Sequence, residues 1–385
     1  MSRTILPHQL PHALDERPDV AALSLDCFDT LLWRDVHSPA DLFTELAPVS
    51  PNQRKRAEEA ARKARVLARH ASAEVSLAEI YAAMMPHADP AERDRAVAAE
   101  IAAEARHLYA FAPTVALMRE AKRRGLAVVV VSDTYFDHDQ LAALIRSAAG
   151  DVVADLIDRI YCSCDHRSAK GERLFERVLA DLRLRPDRIL HIGDNPMADL
   201  HGAERHGIAA LHLVQFAATG AQRLRQEKAA GAMLLAGGTA FQPHRAAVAL
   251  AGPTLEDPGE ALGFAALGPV LAPFARWIAA EAEALADARG GTVHLLFLMR
   301  DGHLPREVFG ATHPATATHP IEISRFTATA ASLREVGAVH RFVLDEIGDG
   351  AGHDFLRQLM IRGQEAEGLM ACLPRTDEAR ALADA

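Results

Sequence analysis

At 385 residues the chain is too long for one ordinary hydrophobic core, so two domains, or a core with an inserted cap, are expected. A formal net charge of −10 and a pI near 6.0 exclude a general attraction for nucleic acid or anionic membranes and favour a small-molecule ligand. No apolar run reaches the roughly 18 residues a bilayer span needs, and residues 1–20 lack the apolar stretch of a secretory signal, so a cytoplasmic protein is expected.

The first element is Ala21 to Leu25, a short aliphatic run closed by a polar cluster, which reads as a buried parallel strand. The next hundred or so residues carry almost no strand signal. Helices are predicted at Pro39–Leu46 and Arg54–His70, and after Ser76 and Asp89, each followed three residues on by a glutamate (Glu79, Glu92) as in a capping box. Residues 36–112 are therefore expected to form a helical cap. Further strands are predicted at Leu126–Val131, Arg159–Cys162 and Arg188–Ile192, with a helix over Lys170–Arg183 and a strand-like Ile208–Val214. This alternation implies an α/β fold with a doubly wound parallel sheet, built from residues 19–35 and 113–215. Residues 216–255, rich in Ala, Gly and Gln, read as a linker or docking arm. A second, smaller Rossmann-like α/β domain is expected over 256–345, with a long helix Glu260–Arg289, a strand Thr292–Met299 ending in Arg300, Asp301 and Gly302, and a strand Ile321–Ser324. Residues 346–385 are expected to be helical.

The chemistry-bearing residues sit at strand ends, where open α/β sheets bind ligands. The first strand delivers Asp26, Phe28, Asp29 and Thr30; the second delivers Ser132 and Asp133. Lys170 opens a helix, and the fourth strand runs into Gly193, Asp194 and Asp199. This ordered set resembles the four motifs of the haloacid dehalogenase superfamily over residues 19–214. The resemblance implies a Rossmann-like core with an inserted cap, Asp26 as nucleophile, Mg²⁺ held by Asp26, Asp194 and the Phe28 carbonyl with Asp199 nearby, and phosphoryl oxygens met by Ser132, Lys170 and the loop amides. Thr30 and Asp133 complete the expected substrate contacts. The expected substrate is a small phosphorylated molecule.

One departure stands out. Phosphatases of that superfamily carry an acid/base Asp two residues after the nucleophile, and here that position is Phe28. Three explanations compete: Asp29 or a cap residue takes over proton transfer, the leaving group needs no proton, or the domain binds without efficient turnover. A dehalogenase-type hydrolase, which needs neither that acid nor a metal, ranks behind these because Asp194 and Asp199 argue for Mg²⁺. Arg54, Arg56, Arg62 and Arg65 read first as a solvated helix face, with recognition of an anionic substrate as the alternative. Arg300–Gly302, with Ser324 and Arg325, marks either a separate site or a plain turn, and the second domain has dimerisation or docking of a partner enzyme as candidate roles. His87 and His107 lack metal-ligand partners at suitable spacing. Cys27, Cys162, Cys164 and Cys372 are too scattered for a disulfide framework.

Overall fold

Short aliphatic stretches, apolar on both faces, bury most cheaply side by side between layers of helices, and that is the arrangement in the computed structural model. It describes residues 3–46, 48–234, 241–251, 257–335, 337, 338, 363–365 and 367. The chain divides into two compact units, Met1–Pro269 and Val270–Ala385. In the first, strands β1 (Thr4–Ile5) and β2 (Ala22–Leu25) precede an antiparallel pair, β3 (Leu32–Arg34) and β4 (Leu108–Ala110), and then β5 (Ala127–Ser132), β6 (Arg159–Cys162), β7 (Ile189–Gly193) and β8 (Ala209–Leu213). Six of them form one parallel sheet in the order β1-β8-β7-β2-β5-β6. The four expected strands fall within a residue of their predicted positions. The short β1 and the β3–β4 ribbon were not foreseen, because two or three residues carry too little pattern to read.

Alternation along the strands sends Leu23, Leu25, Val128, Val130, Leu190 and Ile192 into one core, and Ala22, Val129, Val131 and Ile189 into a second core with Leu174, Phe175 and Val178. The helix carrying those last three spans Leu174–Leu182, so Lys170 lies in the turn before it rather than at its start.

Between β3 and β4 the chain forms a helical insertion: a short 3₁₀ segment Pro39–Glu45, then α1 (Pro51–Leu67), α2 (Leu77–Met84) and α3 (Pro90–His107). Ser76 and Glu79 form the expected reciprocal cap, whereas Asp89 caps through one bond, accepting from the Glu92 amide at 2.7 Å. The insertion is tied to the loops at the carboxyl ends of β5 and β6. Leu77 N–H donates to Tyr135 O (2.7 Å), Ser163 Oγ to Glu74 Oε2, and Arg167 Nη1 to Glu74 O (3.1 Å).

Residues 216–251, expected as a linker or arm, contain helices Ala218–Leu234 and Arg245–Ala251. Helical residues run from Pro258 to Arg289 with Pro273 inside, and the division between units falls within this stretch. The second unit contains the parallel pair β9 (Leu295–Leu298) and β10 (Thr318–Ile321). The expected strand Ile321–Ser324 is thus shifted toward the N-terminus, and Ser324 instead caps the helix Arg325–Ser332. The expected helical segment 346–385, with Cys372, lies outside the described residues save for 363–365 and 367. No helix among the described residues is long and apolar enough to cross a membrane.

Candidate active site

The register of the central strands brings the site together. Leu25 pairs with Val130 on one side and Ile192 on the other, so Asp26, Ser132 and Asp194 leave adjacent strands at nearly one level. The Asp26 amide donates to Ile192 O (2.9 Å), fixing the start of the loop. Asp26 is 6% exposed, and its Oδ1 accepts from Lys170 Nζ at 2.6 Å. The same ammonium donates to Asp199 Oδ1. Carboxylate oxygens of Asp26, Asp194 and Asp199 all lie within 4.8 Å of one another.

Both oxygens of Asp199 are engaged. Oδ1 takes Lys170 and, at 3.1 Å, His191 Nε2; Oδ2 accepts the Asn195 amide at 2.9 Å. Gly193 makes this possible, since a Cβ there would lie 2.2 Å from Asp199 Cγ. Directly opposite His191 in the register is Ser24, whose hydroxyl meets His191 Nδ1 at 2.8 Å. Because an ionised carboxylate only accepts, His191 donates from Nε2 and accepts from Ser24 through Nδ1. Burial holds this imidazole neutral by lowering its pKa, against the pull of Asp199.

The charges do not balance. Burial pushes the Asp26 carboxyl well above its usual range; Lys170 opposes this, while Asp199 and Asp194 add to it. Asp194 is pushed up to about 7 by burial and then by the charges of Asp29 and Asp199. Asp199 goes the other way: burial disfavours its charge, but Lys170 and His191 outweigh burial and lower its pKa. Lys170 likewise stays charged, its burial more than offset by Asp199, Asp26 and Asp133. One ammonium thus faces three clustered carboxylates, and the hard oxygen donors of Asp26 and Asp194 suit a divalent cation such as Mg²⁺. Asp199, with both oxygens occupied, fits as the residue that orients Lys170 rather than as a direct ligand.

The remaining expected residues divide. Ser132 is 1% exposed at the end of β5, and Asp133 Oδ1 accepts the Lys170 amide at 2.8 Å, which makes it a support for the lysine. Thr30 is fully buried; its carbonyl accepts from Thr114 Oγ1 (2.7 Å), and its own Oγ1 has no hydrogen-bond partner among the described residues. Asp29 sits at φ 57°, in the left-handed region that side chains other than Gly seldom adopt. Its carboxylate is flanked by Arg245 Nη2 (3.3 Å) and Arg34 Nη1 (3.6 Å). The Phe28 ring packs 5.9 Å from Phe136, and the Arg34 guanidinium lies over it at 4.3 Å.

Three of the four insertion arginines are committed to internal pairs. Arg54, fully buried, bonds both oxygens of Glu100 (2.7 and 2.8 Å) and stacks against Phe43 and Tyr135. Arg62 pairs with Glu58 and Glu74, and Arg65 with Glu79; Arg56 is exposed. His107 bridges Asp35 and Glu45, and His87 is exposed. Cys27, Cys162 and Cys164 are free and buried. In the second unit Arg300 and Asp301 are exposed, and Gly302 is required because a Cβ would lie 2.5 Å from Leu298 O. Sequence reasoning missed His191, Ser24, Arg34 and Arg245. A lone histidine in the aliphatic Ile189–Gly193 strand was the one available signal.

A parallel sheet with a buried carboxylate at the end of its central strand, a buried lysine and two acidic loop residues beside it defines an α/β core with a candidate active site at its carboxyl edge, where open sheets of this kind bind ligands. Residues 20–207 match the family model of the haloacid dehalogenase-like hydrolases, and this part of the chain is a haloacid dehalogenase-like hydrolase domain. Solved structures similar to the chain include an L-2-haloacid dehalogenase from Xanthobacter autotrophicus with chloropropionic acid covalently bound (15% identity over 61% of this chain and 99% of that one, TM-score 0.40). A HAD phosphatase from Thermococcus onnurineus (16% identity, 51% and 87%, TM-score 0.34) and a predicted phosphoglycolate phosphatase from Haemophilus somnus (12%, 51% and 86%, TM-score 0.34) are also similar. No curated protein matches the chain.

Proposed function

We propose that this domain is a Mg²⁺-dependent phosphohydrolase for a small phosphorylated metabolite, working through an aspartyl-phosphate on Asp26. The observation that carries the reading is the unbalanced acidic cluster. Three carboxylates within 4.8 Å share one ammonium, an arrangement that invites both a divalent cation and the phosphoryl group it would neutralise. A carbon–halogen hydrolase needs no such cluster.

Asp26 and Asp194 would hold Mg²⁺, which when bound screens the attacking carboxylate from the phosphate and stabilises charge on the phosphoryl oxygens. Lys170 favours the ionised form of Asp26 against the burial that raises its pKa and presents its ammonium to an equatorial oxygen, while Asp199, fixed by His191 and Asn195, holds that ammonium in place. An Asp26 oxygen attacks phosphorus in line and the bond to the leaving oxygen breaks. Water then attacks phosphorus, the Asp26–phosphorus bond breaks, and the carboxylate returns as phosphate departs.

Phe28 offers no proton to the leaving oxygen. A mixed anhydride such as an acyl phosphate leaves as a stable carboxylate without one, so acyl phosphates fit this site better than alkyl esters. The same residue supports the second reading, a haloacid dehalogenase-like fold that binds phosphorylated ligands with little turnover. The test is hydrolysis of acetyl phosphate, p-nitrophenyl phosphate and an alkyl phosphomonoester with Mg²⁺, by the purified chain and its Asp26→Asn variant. Turnover that disappears in the variant supports the enzyme; equal rates remove it. Halide release from a 2-halo acid in the presence of chelator would move the assignment to dehalogenation.

A further inference from the structure

We infer that the segment Phe241–Ala251 is a clasp on the hinge of the helical insertion, and that its Arg245 is a positioning residue for chemistry at Asp26. The catalytic half rests on the proposed function; the clasp itself does not.

The chain enters the insertion through β3 and returns through β4, so the paired residues Leu32–Arg34 and Leu108–Ala110 are its covalent link to the core. Any tilt of α1–α3 over Asp26 must bend this ribbon or the residues just beyond it. The clasp grips the residues that follow β3 and precede β4. Val36 and Phe241 form an antiparallel bridge, and the Gln242 amide donates to Asp35 O (2.5 Å). The Gln242 side chain meets His37 Nδ1 at 3.2 Å. On the returning side the Phe241 ring stacks on His107 at 5.2 Å, and His107 bonds Asp35 (2.9 Å) and Glu45 (2.8 Å).

Arg245 joins this grip to the nucleophile loop. It is 5% exposed, and its guanidinium donates to Val36 O, to His37 O (3.0 Å) and to Asp29 Oδ1 (3.3 Å). Asp29, held in its left-handed conformation, is also anchored through its carbonyl by Gln215 Nε2 (2.6 Å). One planar fork therefore spans the strand that leaves for the insertion and a carboxylate three residues after Asp26. A lysine's single ammonium does not reproduce that span. The preceding helix Ala218–Leu234 adds an outer tie, with Lys228 Nζ on Ser38 Oγ (2.9 Å) and Asp41 (2.8 Å). The region that composition marks as a linker thus fixes how the insertion sits relative to the site.

The experiment uses the full chain and the variants Arg245→Ala, Arg245→Lys and Lys228→Ala. Amide hydrogen exchange is followed in peptides covering residues 32–41 and 107–111, which needs no turnover. Arg245→Ala should accelerate exchange in both by about tenfold or more, with β5 and β7 unchanged, and Arg245→Lys should recover only part of the protection. Unchanged exchange at the hinge overturns the clasp. If Arg245→Ala does not fold, Lys228→Ala, which removes only the outer tie, must still loosen residues 36–41, and protection equal to wild type refutes the idea. Kinetics with acetyl phosphate and Mg²⁺ form the second arm. The Arg245 variants should lose about ten- to a hundredfold in kcat with little change in KM; a change confined to KM overturns the positioning role. A wild-type chain that hydrolyses no phosphorylated compound defeats the proposed function, while the exchange result still decides the clasp.

Discussion

Proton competition at Asp194 should control metal binding. With its carboxyl pushed up to about 7, Asp194 is about one tenth ionised one pH unit below that value and about nine tenths ionised one unit above it. Mg²⁺ binds only the ionised carboxylate, so apparent affinity should rise about tenfold from pH 6 to pH 8, with close to one proton released per ion at the lower pH. The same shift sets the sign of stability against pH in the metal-free chain. A carboxyl whose folded pKa is raised stabilises the fold below its ordinary pKa near 4, and that contribution is lost as pH rises through about 7; Asp26 acts in the same direction. His191, whose lowered pKa makes its contribution grow with pH over the same range, opposes this, so the carboxyl contribution is read as a wild-type melting temperature that falls relative to Asp194→Asn from pH 4 to pH 7 without metal, with Mg²⁺ restoring it at the upper end. Titration calorimetry in two buffers of different ionisation enthalpy counts the protons, and Asp194→Asn should both weaken binding and flatten its pH dependence. Affinity constant across this range would refute the charge-imbalance argument, because a cluster already neutral by other means has no proton to displace.

Gly193→Ala places a methyl 2.2 Å from Asp199 Cγ, so it should cost roughly 1–3 kcal/mol in thermal unfolding and weaken Mg²⁺ binding by displacing Asp199. Arg54→Ala leaves Glu100 buried without its partner and should cost about 3–5 kcal/mol, whereas Arg54→Met with Glu100→Leu should recover most of it. A folded, stable Arg54→Ala variant with a raised KM for anionic substrates would instead make Arg54 a substrate contact. Acetyl phosphate should be hydrolysed faster than an alkyl phosphomonoester by a factor of about 10² or more, measured as kcat/KM. Comparable rates would mean that another group, such as Asp29, delivers the proton.

The parts of the fold that were readable from sequence are those where one pattern decides. Leu126–Val131 and Arg188–Ile192 are aliphatic runs that fit only a strand buried on both faces, and Ser76 with Glu79 marks a helix start through chemistry local to four residues. Asp26, Ser132, Lys170 and Asp194 were legible because each lies next to such an element. The misses depend on long-range partners. Nothing near Arg245 reveals that it reaches Asp29, 216 positions away, and the β3–β4 ribbon owes its existence to pairing across the whole insertion. The burial and pairing of the insertion arginines were not legible because sequence shows their charge but not the glutamates that meet them from elsewhere in the chain, as Glu100 meets Arg54.

Phe28 shapes the surroundings of Asp29 through Arg34. A carboxylate at this position would face the leaving group; an aromatic ring cannot move a proton, but it supplies a face for a cation. Arg34 takes that face at 4.3 Å and from there reaches Glu104 at 2.7 Å and Asp29 at 3.6 Å. The guanidinium so placed offsets part of the charge of Asp29, which after burial is the next cause of the raised Asp194 pKa. The aromatic ring at position 28 and the ion pair at Asp29 thus belong to one packing arrangement. Phe28→Asp should therefore do more than add an acid: it removes the platform under Arg34 and places another negative charge beside Asp26 and Asp194. Activity on alkyl esters should rise only if Arg34 keeps its place. Exchange protection at β3 in that variant separates the two effects, since a gain in turnover with β3 intact isolates the missing proton, and a loosened β3 without gain assigns the residue to holding the loop.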